Sequence, residues 1–133
     1  MSRQSFLCVM AAALAVASIT ASQAHHSFSA EFDRDKPIKV TGTVTRVEWT
    51  NPHARIYLDV QDADGKVVNW DFELGPPNGL MRQGWSRNSL KAGDVVTIEG
   101  TRAKDGTSKG NGRAVALANG QRLFAGSSQG VTP

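Results

Sequence analysis

Between Ile38 and Phe124 apolar and polar residues largely alternate with a period of two, the spacing at which a β-strand buries one face and wets the other. Residues 38–49 open the pattern with Val40, Thr41, Thr43, Val44, Thr45 and Val47, a β-branched run that favours extended backbone. Gly42 inside it predicts a bulge or bend. Asn51-Pro52 turns the chain, and Ile56, Leu58 and Val60 then alternate with Arg55, Tyr57 and Asp59. Asp62-Ala63-Asp64-Gly65 closes a hairpin onto a third strand, in which Val68, Trp70, Phe72 and Leu74 alternate with Val67, Asn69, Asp71 and Glu73. Gly75-Pro76-Pro77 stops that strand. Residues 77–83 predict a short helix, with proline in its first turn and Gly84 closing it. A strand over residues 95–103 follows, then a Gly/Ser/Lys loop over 104–112. A weaker strand over 113–118, the turn Asn119-Gly120 and a short strand over 121–124 complete the pattern.

Three strands, a helix and two or three further strands is the order of the five-stranded OB barrel. The expectation is therefore an all-β chain: a small OB-like barrel of five to six strands with one short helix between strands 3 and 4. Gly42 would be the bend that lets a long first strand serve both sheets. Another small antiparallel barrel or sandwich fits the same order.

The first 24 residues follow a different rule. Arg3 supplies a positive start, residues 6–19 are apolar or small without a charge, and Ser22-Gln23-Ala24 ends the stretch in small residues. These are the three parts of a secretory signal, and the apolar run is too short and too rich in alanine for a membrane span. The expected organisation is a signal peptide over 1–24, an arm over 25–37, the barrel over 38–125 and a loose tail over 126–133, the protein being periplasmic or secreted. Removing residues 1–24 from 133 leaves 109, enough for one domain with its own core. The single cysteine, Cys8, leaves with the leader, which excludes a disulfide, a thiol nucleophile and a thiolate metal site. Fourteen Lys and Arg then face twelve Asp and Glu, Arg3 having been removed from fifteen. A balance of +2, spread evenly, argues for neither nucleic acid nor a membrane surface as partner.

Cleavage after Ala24 gives the candidate chemistry. It makes His25 the amino terminus, whose α-amine and ring Nδ1 can chelate one metal ion together. A second imidazole completes a T-shaped set of nitrogens, a histidine brace, and a planar all-nitrogen set suits Cu(II). His53, just after Asn51-Pro52, is the expected partner, with His26 a further ligand or a neighbouring support. Cleavage one residue earlier would place His26 third, an arrangement that also binds Cu(II). The competing reading is a mobile tail and a turn-capping His53.

Other residues are candidates for a ligand face: Trp49, Asn51, Tyr57, Trp70, Asp71 and Glu73. Trp49, Tyr57, Trp70 and Trp85 form either an aromatic platform or core packing, and Trp70 shares an apolar face with Phe72. Asp71 and Glu73, two residues apart, are solvated carboxylates, an acid/base pair or groups that orient a metal ligand. The 62–65 turn lacks the distal glutamate of a calcium loop, and 106–110 lacks the order of a phosphate loop. No nucleophile elbow or Ser-His-Asp set is visible, so no catalytic residue is assigned and a binding protein is favoured over an enzyme.

His25-His26-Ser27-Phe28, Phe32-Asp33, Gly42-Thr43-Val44, Trp49-Thr50-Asn51-Pro52-His53-Ala54, Trp70 with Glu73, Leu80 with Gly84-Trp85, and Lys91-Ala92-Gly93-Asp94 together resemble a family of small exported bacterial proteins classed only as a domain of unknown function. The resemblance spans the chain beyond its leader and implies export and a small β-barrel, but no activity. The expected function is metal binding, copper first, through His25, His26 and His53, for carriage or delivery and with a periplasmic partner protein conceivable. The alternative is a metal-free OB-type module that recognises an oligosaccharide, a peptide or a partner protein. A copper oxidase or oxygenase is disfavoured, because so small a domain offers little substrate cleft.

Overall fold

A computed structural model describes residues 28–126. The chain is mostly β. A single helical turn over 28–31 leads into β1 (Phe32–Glu48), followed by β2 (Arg55–Gln61), β3 (Val67–Glu73), α1 (Pro77–Arg82), β4 (Val95–Ala103), β5 (Lys109–Leu117) and β6 (Arg122–Phe124). The strands lie in the order β3-β2-β1-β4-β5-β6, and β3 also pairs with β5. That last pairing is parallel and the other five are antiparallel. Each of β1 to β5 therefore has a partner along both edges.

Alternation does in three dimensions what it promises in one. Ile56, Leu58, Phe72, Leu74, Val96, Ile98 and Val115 are all fully buried and face one another across the sheet. Each such side chain contributes about 1.5–3 kcal/mol by leaving water. Helix α1 closes one end of this core with Leu80. The Trp85 N–H bonds Leu80 O at 3.0 Å and the Gly84 N–H bonds Met81 O at 3.1 Å, a helix stop that needs the positive φ of 94° at Gly84. Trp85 is core, its indole N–H donating to Phe124 O at 2.8 Å.

The strand boundaries depart from the pattern at two places. β1 begins at Phe32, not Ile38, so residues 32–37 of the expected arm belong to the strand that pairs with β4. The charged residues Arg34, Asp35 and Lys36 conceal this because they sit in a register shift between Asp33 and Pro37. β5 begins at Lys109 inside the expected loop. Gly110, Asn111 and Gly112 are buried there and bridge β3 to β4, so glycine marks close packing and not a turn. A Cβ on Gly110 would stand 2.7 Å from the Phe72 ring. Gly42 likewise serves close approach, its missing Cβ leaving room for Asp59 O, while the bulge in β1 falls between Val44 and Arg46. The expected signal peptide over 1–24, His25, His26 and residues 127–133 of the expected tail lie outside the described residues.

Candidate functional site

The turn from β1 to β2 is pinned at its far end. Ala54 is buried, its N–H donates to Gly75 O at 3.1 Å, and its carbonyl accepts from Leu74 N at 2.8 Å. Trp49, half-buried, packs on the core at the other end, with the exposed Asn51 and Pro52 between them. His53 is thus held one residue from a fixed point. Its Nδ1 lies 3.0 Å from Oε1 of Glu73, the last residue of β3, and its side chain is 31% exposed. A carboxylate at that distance favours the tautomer carrying its proton on Nδ1, which leaves the Nε2 lone pair outermost. Among the described residues Nε2 has no partner.

Antiparallel register builds the rest of the site. Arg55 is opposite Glu73 and Tyr57 opposite Asp71, so all four side chains share the polar face of the β2–β3 hairpin. Arg55 makes a fork to Asp71, Nε to Oδ1 at 2.9 Å and Nη2 to Oδ2 at 3.0 Å, and brings Nη1 within 3.7 Å of Glu73 Oε2. The fork raises the Arg55 pKa, with burial opposing it. The Tyr57 hydroxyl donates to Glu48 at 3.3 Å, Arg46 lies 4.0 Å from the centre of the Tyr57 ring, and burial pushes the phenol pKa up. Lys109 is the register partner of Asp71 across the parallel pairing, and its Nζ donates to Glu31 Oε1 at 2.7 Å. That bond raises the Lys109 pKa.

The structure therefore brings His53, Glu73, Asp71 and Tyr57 together, with Arg55 as the hub, and leaves the other candidates apart. Trp70 lies on the opposite, inward face of β3, stacked on Phe72 at 5.7 Å with the Arg102 guanidinium 5.5 Å from its ring centre. It borders an open cavity of about 450 Å³ that is also lined by Val40, Val60 and Val68. His25 and His26 lie outside the described residues. Among the described residues no three His, Cys, Asp or Glu side chains converge as a metal cluster, so His53 with Glu73 is one oriented imidazole and not a complete cage. Sequence reasoning missed Arg55, although the turn at 62–65 already sets the register that places it between the two carboxylates. It also missed Glu31 and Lys109, whose meeting depends on a parallel pairing that no local pattern announces.

Fold and site together define a small, predominantly β protein with an imidazole–carboxylate pair at the rim of its sheet. No described helix is long and apolar enough to cross a membrane. The chain belongs to the family of unknown function DUF6152, whose model matches residues 12–113. No curated protein matches it.

Proposed function

We propose that the protein is exported, that its strands close as an OB-like barrel, and that it binds a transition metal, Cu(II) in preference, for carriage or delivery. His53 supplies Nε2. His25, exposed as the amino terminus by cleavage after Ala24, supplies its amine and ring, and His26 is a further ligand or a hydrogen-bonding neighbour. The observation that carries this reading is the 3.0 Å approach of Glu73 to His53 Nδ1. Imidazoles that bind metal commonly give their second nitrogen to a carboxylate, which fixes the ring and strengthens the ligand nitrogen. Glu73 is 8% exposed and steadied by Arg55, so it acts on the imidazole and not on the metal. The two-edged pairing of β1 to β5, with the helix between β3 and β4, supports the OB-like reading.

A second reading is favoured by the cavity beside Trp70: a metal-free module that takes an oligosaccharide, a peptide or a partner protein. Calorimetry separates the two. The protein secreted with its own leader should bind Cu(II) with sub-micromolar affinity, and His25→Ala and His53→Ala should each abolish that affinity. Binding no tighter than that of an ordinary histidine-containing peptide would give the case to the second reading.

A further inference from the structure

The inner face of the sheet is filled at one end and open at the other. At the α1 end Leu74, Leu80 and Trp85 are buried. Toward the turn between β2 and β3, Val40, Val60, Val68 and Trp70 are only partly buried and line the cavity of about 450 Å³. That volume lies within the roughly 300–1,000 Å³ of small-molecule sites. Beside this apolar wall stands a cation. Arg102 is opposite Gly110 in β5, where a Cβ would meet the Phe72 and Ile38 side chains, so register turns Arg102 to the inner side. It is half-buried, and its guanidinium carbon lies 5.5 Å from the centre of the Trp70 ring. Its Nη2 donates to Gly106 O at 2.7 Å and its Nε to Thr107 O at 3.4 Å, so the loop from β4 to β5 fixes the side chain through neutral carbonyls. Among the described residues no carboxylate pairs with it: Asp33, its register partner in β1, sits 3.6 Å from Lys36, Asp105 takes the N–H and hydroxyl of Thr107, and Asp62 at the cavity takes the amides of Asp64 and Lys66.

We propose that this cavity binds a small monocarboxylate with an apolar body, the body lying against Val40, Val60, Val68 and Trp70 and the carboxylate on Arg102. A half-buried guanidinium gives up hydration that neutral carbonyls replace only in part, and an anion supplies the rest. Its planar fork matches a carboxylate through two parallel N–H···O bonds. The other cation lining the cavity, Lys39, already lies 3.5 Å from Glu99, which leaves Arg102 as the anchor. The three valines carry no polar side-chain atom, so the rest of the ligand gains by leaving water. A cationic ligand would meet Arg102 as a like charge, and a neutral one would leave the guanidinium unpaired. The proposal takes the cavity of the second reading above but depends on neither that reading nor the metal-binding one, because Glu73, which holds His53, points to the other side of β3 from Trp70.

The test uses the whole protein, calorimetry and two probes with the same alkyl body, octanoate and octan-1-ol. Octanoate should bind about tenfold or more tightly than octanol, the worth of one charge-assisted pair. Arg102→Met should erase that preference while octanol affinity stays, and Arg102→Lys should keep part of it. Val68→Trp, which fills the cavity, should weaken both probes. Nuclear magnetic resonance supplies a measurement that needs no variant. Octanoate should move the indole N–H signal of Trp70 and leave in place that of Trp85, which is bonded to Phe124 O. His53→Ala should bind octanoate as the wild type does. Equal affinity for the two probes in the wild type, or binding of neither, would overturn the proposal. So would a preference for octanoate that survives Arg102→Met, a Trp70 signal indifferent to octanoate, or octanoate binding lost in His53→Ala.

Discussion

Glu73 is the residue on which the site turns. It is nearly buried, it stands opposite Arg55 in register, and its two oxygens face different partners, His53 on one side and Arg55 on the other. A carboxylate in that position would be costly to keep without Arg55, because a desolvated charge needs a partner. Glu73→Gln keeps the shape of the side chain and removes its charge. It should weaken Cu(II) binding roughly 10- to 100-fold, as loss of a carboxylate behind a metal-bound imidazole commonly does. Circular dichroism should show the β-sheet intact in that variant. Wild-type affinity in it would mean that Glu73 is only part of the surface ion network. Tyr57 and Asp71, by contrast, were candidates by strand parity and are occupied by Glu48, Arg46 and Arg55.

At the scale of elements the packing of β5 makes the sharpest demand. The Gly100 Cα faces the Asn111 carbonyl so closely that a Cβ there would collide with backbone, which cannot swing aside as a side chain can. Gly65 has open space around it but a φ of +79°. Chemical denaturation should therefore rank the two substitutions: Gly100→Ala losing about 3 kcal/mol or more, Gly65→Ala about 1–2 kcal/mol. Equal losses would contradict the close β4–β5 approach.

The polar side of the same strands makes a prediction about acid. Arg122 on β6 bonds Glu99 at 2.8 Å and, with Lys39 helping, holds the Glu99 carboxyl below its ordinary value of 4.5. A carboxyl lowered in the folded state stabilises fully above 4.5 and ceases to do so as the pH falls through its folded value. The stability of wild type should thus fall more steeply below pH 4.5 than that of Glu99→Gln. Parallel curves would show that the ion pair contributes nothing.

Across the whole molecule, what could be read in advance divides by range. β2, β3, α1 and β4 were legible within a residue or two, because alternation, Asp62-Ala63-Asp64-Gly65, Pro77 and Gly84 are local signals. The start of β1 and the start of β5 were not. Both depend on pairing with distant strands, and the residues there, Arg34 to Lys36 and Gly110 to Gly112, resemble loop in composition. The site divides the same way. The hairpin register places Asp71 and Glu73 on one face, whereas the approach of His53 to Glu73 and of Lys109 to Glu31 joins residues far apart in sequence. The paired His25 and His26 are legible only as sequence.

The central claim, that an amino-terminal histidine and His53 share one copper ion, meets its most direct test in electron paramagnetic resonance of the secreted protein loaded with one equivalent of Cu(II), after mass spectrometry has identified its first residue. The account predicts a mature start at His25 and a planar, nitrogen-rich Cu(II) spectrum that loses one nitrogen coupling in His53→Ala. A spectrum unchanged by that substitution, or a secreted chain that begins beyond His26, would contradict it.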